Sequence, residues 1–281
     1  MARTGTVLCL GLDPDPASLP PGFAGDVSGL EAFARLLLEA ALPFAAAVKP
    51  NLAFYEAFGW EGLAALERLR AMVPSDVPLI VDAKRADIGS TAARQAVSLF
   101  DRLGADAITV NPYLGGAAIA PLLERQDRFA YVLCRTSNPG AGELQDLRVE
   151  ADAKIDAPAE PLWARVARRA GGWGPGGTVG LVVGATAPHE LAAIRAIAPG
   201  LPFLVPGVGQ QRGDVAAVLR HGPVGAHSGG APSGAPPGPR LLVNVSRGIA
   251  TAATAAPAGT DPGEALARAA RGWANRLPVL T

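Results

Sequence analysis

The chain has 281 residues, 49% of them hydrophobic and 18% charged, with 25 Lys plus Arg set against 25 Asp plus Glu. Zero formal net charge without a long run of either sign excludes the electrostatic footprint of a nucleic-acid or membrane-surface binder. It leaves room for a local cationic pocket that takes a small anion. No stretch approaches the length of a membrane span, and the apolar run before Asp13 is too short for a signal peptide, so the protein is expected in the cytosol.

Eight short apolar, β-rich runs follow one another along the chain: "TVLCLGLD" (6–13), "FAAAVKPN" (44–51), "PLIVDAK" (78–84), "AITVNPY" (107–113), "AYVLCRTS" (130–137), "VGLVVGAT" (179–186), "PFLVPGVG" (202–209) and "LLVNVSRG" (241–248). Between them lie stretches with apolar residues at three- and four-residue spacing, among them "LEAFARLLLEAAL", "GLAALERLRAMV", "TAARQAVSLFDRLG" and "ELAAIRAIA", which predict helices. Continuous apolar strands alternating with amphipathic helices predict a parallel sheet clothed in helices, and eight such units predict a single-domain α/β (β/α)8 TIM barrel over residues 1–281. An open doubly wound sheet is the alternative, but "GLDPDPAS" after the first run is not a G-x-G-x-x-G fingerprint.

Two connections are long. Residues 138–177 follow the fifth strand and, leaving a carboxyl end, are placed to act as a lid. Residues 221–239, "HGPVGAHSGGAPSGAPPGP", are rich in Gly and Pro and are read as a loosely ordered insertion on the opposite face. Cys9 and Cys134 sit in apolar runs and read as buried thiols without disulfide or metal spacing. His189, His221 and His227 fall outside every strand end and read as solvated, as does Lys154.

Asp13, Lys49, Lys84, Asn111, Ser137, Gln211 and Arg247 fall at or just past strand ends that a barrel gathers on one face. The lysines stand out. Of the 25 basic residues only Lys49, Lys84 and Lys154 are lysines, so a chain that otherwise writes arginine places a lysine in "LIVDAKRADIGST" (79–91). A rim salt bridge would be served by arginine; a compact ammonium that sits close to one atom and donates a proton would not. In extended backbone residues two apart point the same way, so Asp82 and Lys84 are expected to face the barrel interior together, with Asp87 in the following turn. Two flanking carboxylates would hold such a lysine protonated.

The pattern D-x-K-x-x-D-I-G-x-T, here Asp82, Lys84, Asp87, Ile88, Gly89 and Thr91, resembles the signature of the orotidine 5′-phosphate decarboxylases. "GLDPDP", "VKPNLAFYEAFG", "VNPYLGG", "TSNPGAGELQDL", "PGVGQQRGD" and "VNVSRGI" extend the likeness in order over nearly the whole chain, in the form of the longer, mycobacterial-like bacterial subgroup. The resemblance implies a lyase that converts orotidine 5′-phosphate to UMP with no metal, no cofactor and no covalent intermediate. It implies that Lys84 faces C6, stabilises the developing carbanion and delivers the replacing proton. Asp82 lies by the substrate carboxylate, Lys49 completes the charge array near the ribose, and Asp13 accepts from ribose hydroxyls. Ser137 meets the pyrimidine amide. Arg247, Gly209 and Gln211 take the phosphate, with Gln210 the alternative to Gln211. Asp87 and Thr91 reach a neighbouring subunit's site, which implies a homodimer. Asn51 and Asn111 are as well explained by turns.

Rival readings remain. Related phosphosugar enzymes carry D-x-K-x-x-D but hold a divalent metal partly through a carboxylate at the end of the second strand, where this chain has Lys49. A Schiff-base aldolase needs a neutral lysine, which two flanking acids disfavour. A non-catalytic nucleotide-binding barrel would need a broken constellation.

Overall fold

All eight apolar runs become strands of one parallel sheet, each strand shorter than its run. The computed structural model describes residues 4–174, 177–224, 240–257 and 259–279. In chain order, β1 (Leu8–Leu12) is followed by α1 (Val27–Ala41), β2 (Ala47–Pro50) by α2 (Ala53–Glu56) and α3 (Gly59–Met72), β3 (Ile80–Arg85) by α4 (Gly89–Ala96), and β4 (Ala107–Val110) by α5 (Gly116–Leu123). β5 (Phe129–Arg135) leads into α6 (Gly142–Gln145), the two-residue strands β6 (Arg148–Val149) and β7 (Glu160–Pro161), and α7 (Leu162–Ala170). β8 (Val179–Val183), α8 (Pro188–Ile197), β9 (Phe203–Pro206), α9 (Val215–His221) and β10 (Leu241–Val245) follow, then α10 (Arg247–Ala250), α11 (Ala252–Ala255) and α12 (Pro262–Arg276).

The sheet order is β2-β1-β10-β9-β8-β5-β4-β3. Parallel bridges Val48↔Leu79 and Asn51↔Asp82 join the first strand of that order to the last. The sheet therefore closes, and the fold is a (β/α)8 barrel rather than an open doubly wound sheet.

Contact density resolves the chain into two compact units. One comprises Met1–Ala83, Val97–Ile108 and Leu242–Thr281; the other comprises Lys84–Ala96 and Thr109–Leu241. In the first, Asp26 caps α1 by accepting from the backbone N–H of Ser28 and Gly29, and the spacing Leu30, Phe33, Ala34, Leu37, Leu38, Ala41 buries one face against α3 and α12. Each fully buried Leu or Phe contributes about 1.5–3 kcal/mol relative to exposure. In the second, β8 pairs with β5 and β9, and Val132, Leu181, Leu191, Ile194 and Phe203 are buried.

Arg195 is an exception within that second core, buried in the apolar pattern of α8. Its guanidinium donates to the carbonyls of Ala198 (2.9 Å), Leu201 (2.8 Å) and Gly222 and lies 3.6 Å over the Phe203 ring. Burial pulls its pKa down from the usual arginine range, and the carbonyl oxygens compensate the cation.

Two local expectations change, and a third is not reached. The helix read over "TAARQAVSLFDRLG" continues beyond α4 as a π-helical turn over Val97–Arg102. The long connection after β5 contains an antiparallel ladder, with Arg148 opposite Pro161 and Val149 opposite Glu160. Most of the Gly/Pro-rich tract, residues 225–239 with His227, lies outside the described residues.

Candidate active site

β1, β2 and β3 bring three predicted charges together. Lys49, the third residue of β2, is 4% exposed, and its Nζ lies 2.9 Å from Asp82 Oδ2 on β3. Burial alone would lower the lysine's pKa, but the charges of Asp82 and Asp13 outweigh it and raise it well above the usual lysine value. Asp13 follows β1, and its Oδ1 accepts from the Asn51 backbone N–H at 3.0 Å, which ties the end of β2 to the end of β1. Tyr55 braces the same region through a 3.1 Å bond from its hydroxyl to the Leu12 carbonyl, and burial followed by the Asp13 charge pushes its pKa well up. Cys9 is buried and its thiol is pushed up to about 12, chiefly by burial, so it stays neutral. Asn51 works as a turn residue, accepting from the Ala53 N–H at 3.2 Å.

Lys84 departs from expectation in one respect. Its φ is +48°, in the left-handed region, so strict strand alternation does not extend from Asp82 to Lys84. The residue is exposed, and its backbone N–H donates to Thr109 Oγ1 on β4 at 2.9 Å. Asp87 sits in the turn after β3, half-buried, with Oδ1 accepting from Ile88 N–H at 2.8 Å. Thr91 lies exposed in the first turn of α4.

The loops after β5 and β9 converge on Ser137. Gln211 Nε2 donates to the Ser137 carbonyl at 3.5 Å, which favours Gln211 over Gln210 as the glutamine turned towards β5. Small residues make this approach possible. A Cβ on Gly184 would stand 2.8 Å from Ser137 backbone atoms, and one on Gly207, at φ +101°, would stand 2.9 Å from Gln211 Oε1. Gly209 lies in the same loop and its carbonyl accepts from Arg212 N–H at 2.9 Å. Arg247 opens α10, four residues long, and is exposed. Asn111 caps the turn after β4 by accepting from Tyr113 N–H.

Two further residues were not anticipated. Gln145 Oε1 accepts from Thr136 N–H at 2.9 Å while its Nε2 donates to Thr136 Oγ1 at 2.8 Å, clamping the loop that carries Ser137. Thr109 is the other. Only the pairing of β3 with β4 reveals it, since a threonine in an apolar strand is unremarked in sequence.

Lysines and carboxylates at the carboxyl ends of barrel strands define a class, that of barrel enzymes acting on small anionic molecules at that face. Comparison narrows it: residues 6–260 match the model of the orotidine 5′-phosphate decarboxylase / HUMPS family. The orotidine 5′-phosphate decarboxylase of Roseiflexus castenholzii is 45% identical over 276 residues, covering 98% of this chain and 92% of that protein. That of Halorubrum lacusprofundi is 48% identical over 247 residues, covering 88% and 83%. The structure of Leishmania donovani OMP decarboxylase superposes with TM-score 0.75 at 38% identity, covering 96% of this chain and 93% of that one. Leishmania donovani UMP synthase superposes with TM-score 0.78 at 39% identity, and this chain spans 54% of its length. The chain belongs to the orotidine 5′-phosphate decarboxylase family.

Proposed function

We infer that the chain decarboxylates orotidine 5′-phosphate to UMP, a carbon–carbon lyase step of pyrimidine synthesis, and that Lys84 supplies the proton. Near-full-length similarity to orotidine 5′-phosphate decarboxylases carries the reaction. The chemistry assigned to the side chains follows the resemblance of D-x-K-x-x-D-I-G-x-T and its companion motifs, residue by residue. The C6–carboxylate bond breaks, its electron pair stays on C6 in the ring plane, and the Lys84 ammonium transfers a proton to that carbon as CO₂ leaves. One cation at about 4 Å and an effective dielectric near about 20 is worth roughly 4 kcal/mol. Enzymes typically lower barriers by about 8–23 kcal/mol, so the remainder falls to fixing the substrate through its ribose and phosphate.

In this reading Asp82 orients the ammonium groups beside the substrate carboxylate, and Lys49 and Asp13 bind the ribose. Ser137 contacts the pyrimidine amide, and Gln211, Gly209 and Arg247 hold the phosphate. The connection 138–177 acts as a lid. Metal and cofactor independence is part of the proposal, supported by the buried Lys49 ammonium where a related metal enzyme places a carboxylate; a cation there repels a divalent ion. Asp87 and Thr91 complete the site of a second copy, supported by the exposure of Ile88 (70%), Tyr113 (77%) and Leu114 (52%) in neighbouring turns. Among the described residues no helix is long and apolar enough to cross a membrane, and a cytoplasmic location fits the pathway.

The test is the ultraviolet absorbance of orotidine 5′-phosphate mixed with purified protein in excess EDTA. A catalysed shift to the UMP spectrum is expected. Turnover only after a divalent metal is added would overturn the metal-free reading, and no turnover under either condition would overturn the assignment of the reaction.

A further inference from the structure

Lys84 combines two demands that conflict. It is assigned the proton transfer, so its ammonium has to be held in one place; yet its backbone stands at φ +48°, a region that residues with a Cβ rarely occupy. Such a conformation persists only where neighbouring groups over-determine it. The neighbour here is Thr109, the third residue of β4 and 1% exposed. At Lys84 the N–H is turned towards a side chain, donating to Thr109 Oγ1 at 2.9 Å. One residue later main-chain pairing is in place again, with Asn111 N–H donating to the Arg85 carbonyl at 3.0 Å. The hydroxyl thus serves as an acceptor at the point where β3 bends away from regular ladder geometry, and it rides on a buried strand rather than a loop.

We propose that Thr109 is a positioning residue for the decarboxylation: its hydroxyl fixes the left-handed backbone of Lys84 and thereby aims the ammonium. The proposal rests on the reading of Lys84 as proton donor. Removing the acceptor while keeping the shape leaves the Lys84 N–H without that bond, and the backbone relaxes towards the extended region. A relaxed backbone moves the root of the side chain, and a displacement near 1 Å at a reacting group costs about a hundredfold in rate. Ground-state binding through ribose and phosphate does not depend on this bond.

Thr109→Val, Thr109→Ser and Lys84→Ala, each with thermal melting and UMP binding measured alongside kcat and KM, form the test. Expected for Thr109→Val is a fall in kcat of about tenfold to a hundredfold, with the dissociation constant for UMP within about threefold of the parent. Thr109→Ser, which keeps the hydroxyl, retains kcat within about threefold. Parental kcat in Thr109→Val, or an equal loss in Thr109→Ser, overturns the proposal. Lys84→Ala separates the two levels: parental turnover there overturns the lysine reading itself. Lys84→Ala inactive with Thr109→Val fully active overturns only the role of Thr109. Should Thr109→Val not fold, Thr109→Ala is read by the same criteria.

Discussion

Lys49 is a buried charge held by opposite charges. Taking an ammonium out of water costs several kcal/mol, and the bond to Asp82 with the nearby Asp13 charge has to offset it. Because folding raises this pKa above its ordinary 10.5, the folded protein holds the proton more tightly than the unfolded chain. The stabilisation is complete below that value and is lost as pH rises through the higher folded one. Cys9, Cys134 and Tyr55 are also buried with raised pKa values and add to the alkaline loss, so the comparison has to be made against a variant. Lys49→Met is expected to lower stability at pH 8 by about 3–5 kcal/mol, since it leaves Asp82 without that partner. Between pH 10 and 11.5 its stability should then fall less steeply than the parent's. Urea unfolding across that range checks both, and equal slopes would mean that the pair does not set the titration. At this scale legibility depended on rarity. Three lysines among 25 basic residues made Lys49 and Lys84 conspicuous, whereas Thr109 and Gln145 are ordinary residue types whose roles exist only once strands and loops are paired.

The connection between β5 and β8 shows what happens at the scale of elements. Its ladder of two-residue strands is too short for any hydrophobic period to register, so sequence pattern marked the length of the connection and the helix near its end but not this ladder. An ionic cluster holds it. Glu160, buried, accepts from Arg165 Nε at 2.8 Å and from Arg168 at 2.9 Å, while Arg165 also donates to the Glu150 and Pro158 carbonyls. Burial would raise the Glu160 pKa, but the two arginines prevail and lower it; its stabilisation is therefore present above about pH 4.5 and lost as pH falls through the folded value. Glu160→Gln is expected to cost about 1.5–3 kcal/mol at neutral pH, to flatten the acid limb of the stability profile, and to speed amide exchange across residues 148–161. Unchanged exchange there would show that the cluster does not hold the ladder. Closer to the chemistry, Gln145→Ala releases Thr136 and so the loop bearing Ser137. Weaker binding of UMP by about tenfold, with ribose 5-phosphate binding unchanged, is the expected calorimetric result. An equal loss for both ligands would place the effect at the phosphate end.

At the scale of the whole molecule the barrel was legible because each strand of the eight-stranded sheet begins with apolar residues and the longer helices carry a buried stripe. Closure was not visible in the same way: it rests on bridges such as Val48↔Leu79, which no local pattern encodes. Assembly lies further still from the sequence. If Asp87 and Thr91 complete a second copy's site, mixing inactive Lys84→Ala with inactive Asp87→Ala protein should restore about a quarter of parental activity, because half of the randomly exchanged dimers carry one intact site. Activity that stays at zero after subunit exchange, confirmed by mass, would contradict composite sites.

The proposed mechanism turns on the ammonium of Lys84, and one comparison reaches it directly: kcat for orotidine 5′-phosphate, followed by ultraviolet absorbance, in the parent and in Lys84→Arg. Arginine keeps the charge but holds its protons too tightly, with pKa above about 12, and spreads them over a plane. With Lys84 as the proton donor, kcat is expected to fall by at least about a thousandfold, with UMP still bound within about threefold. Turnover within about tenfold of the parent would show that positive charge suffices at residue 84 and that the proton comes from another group.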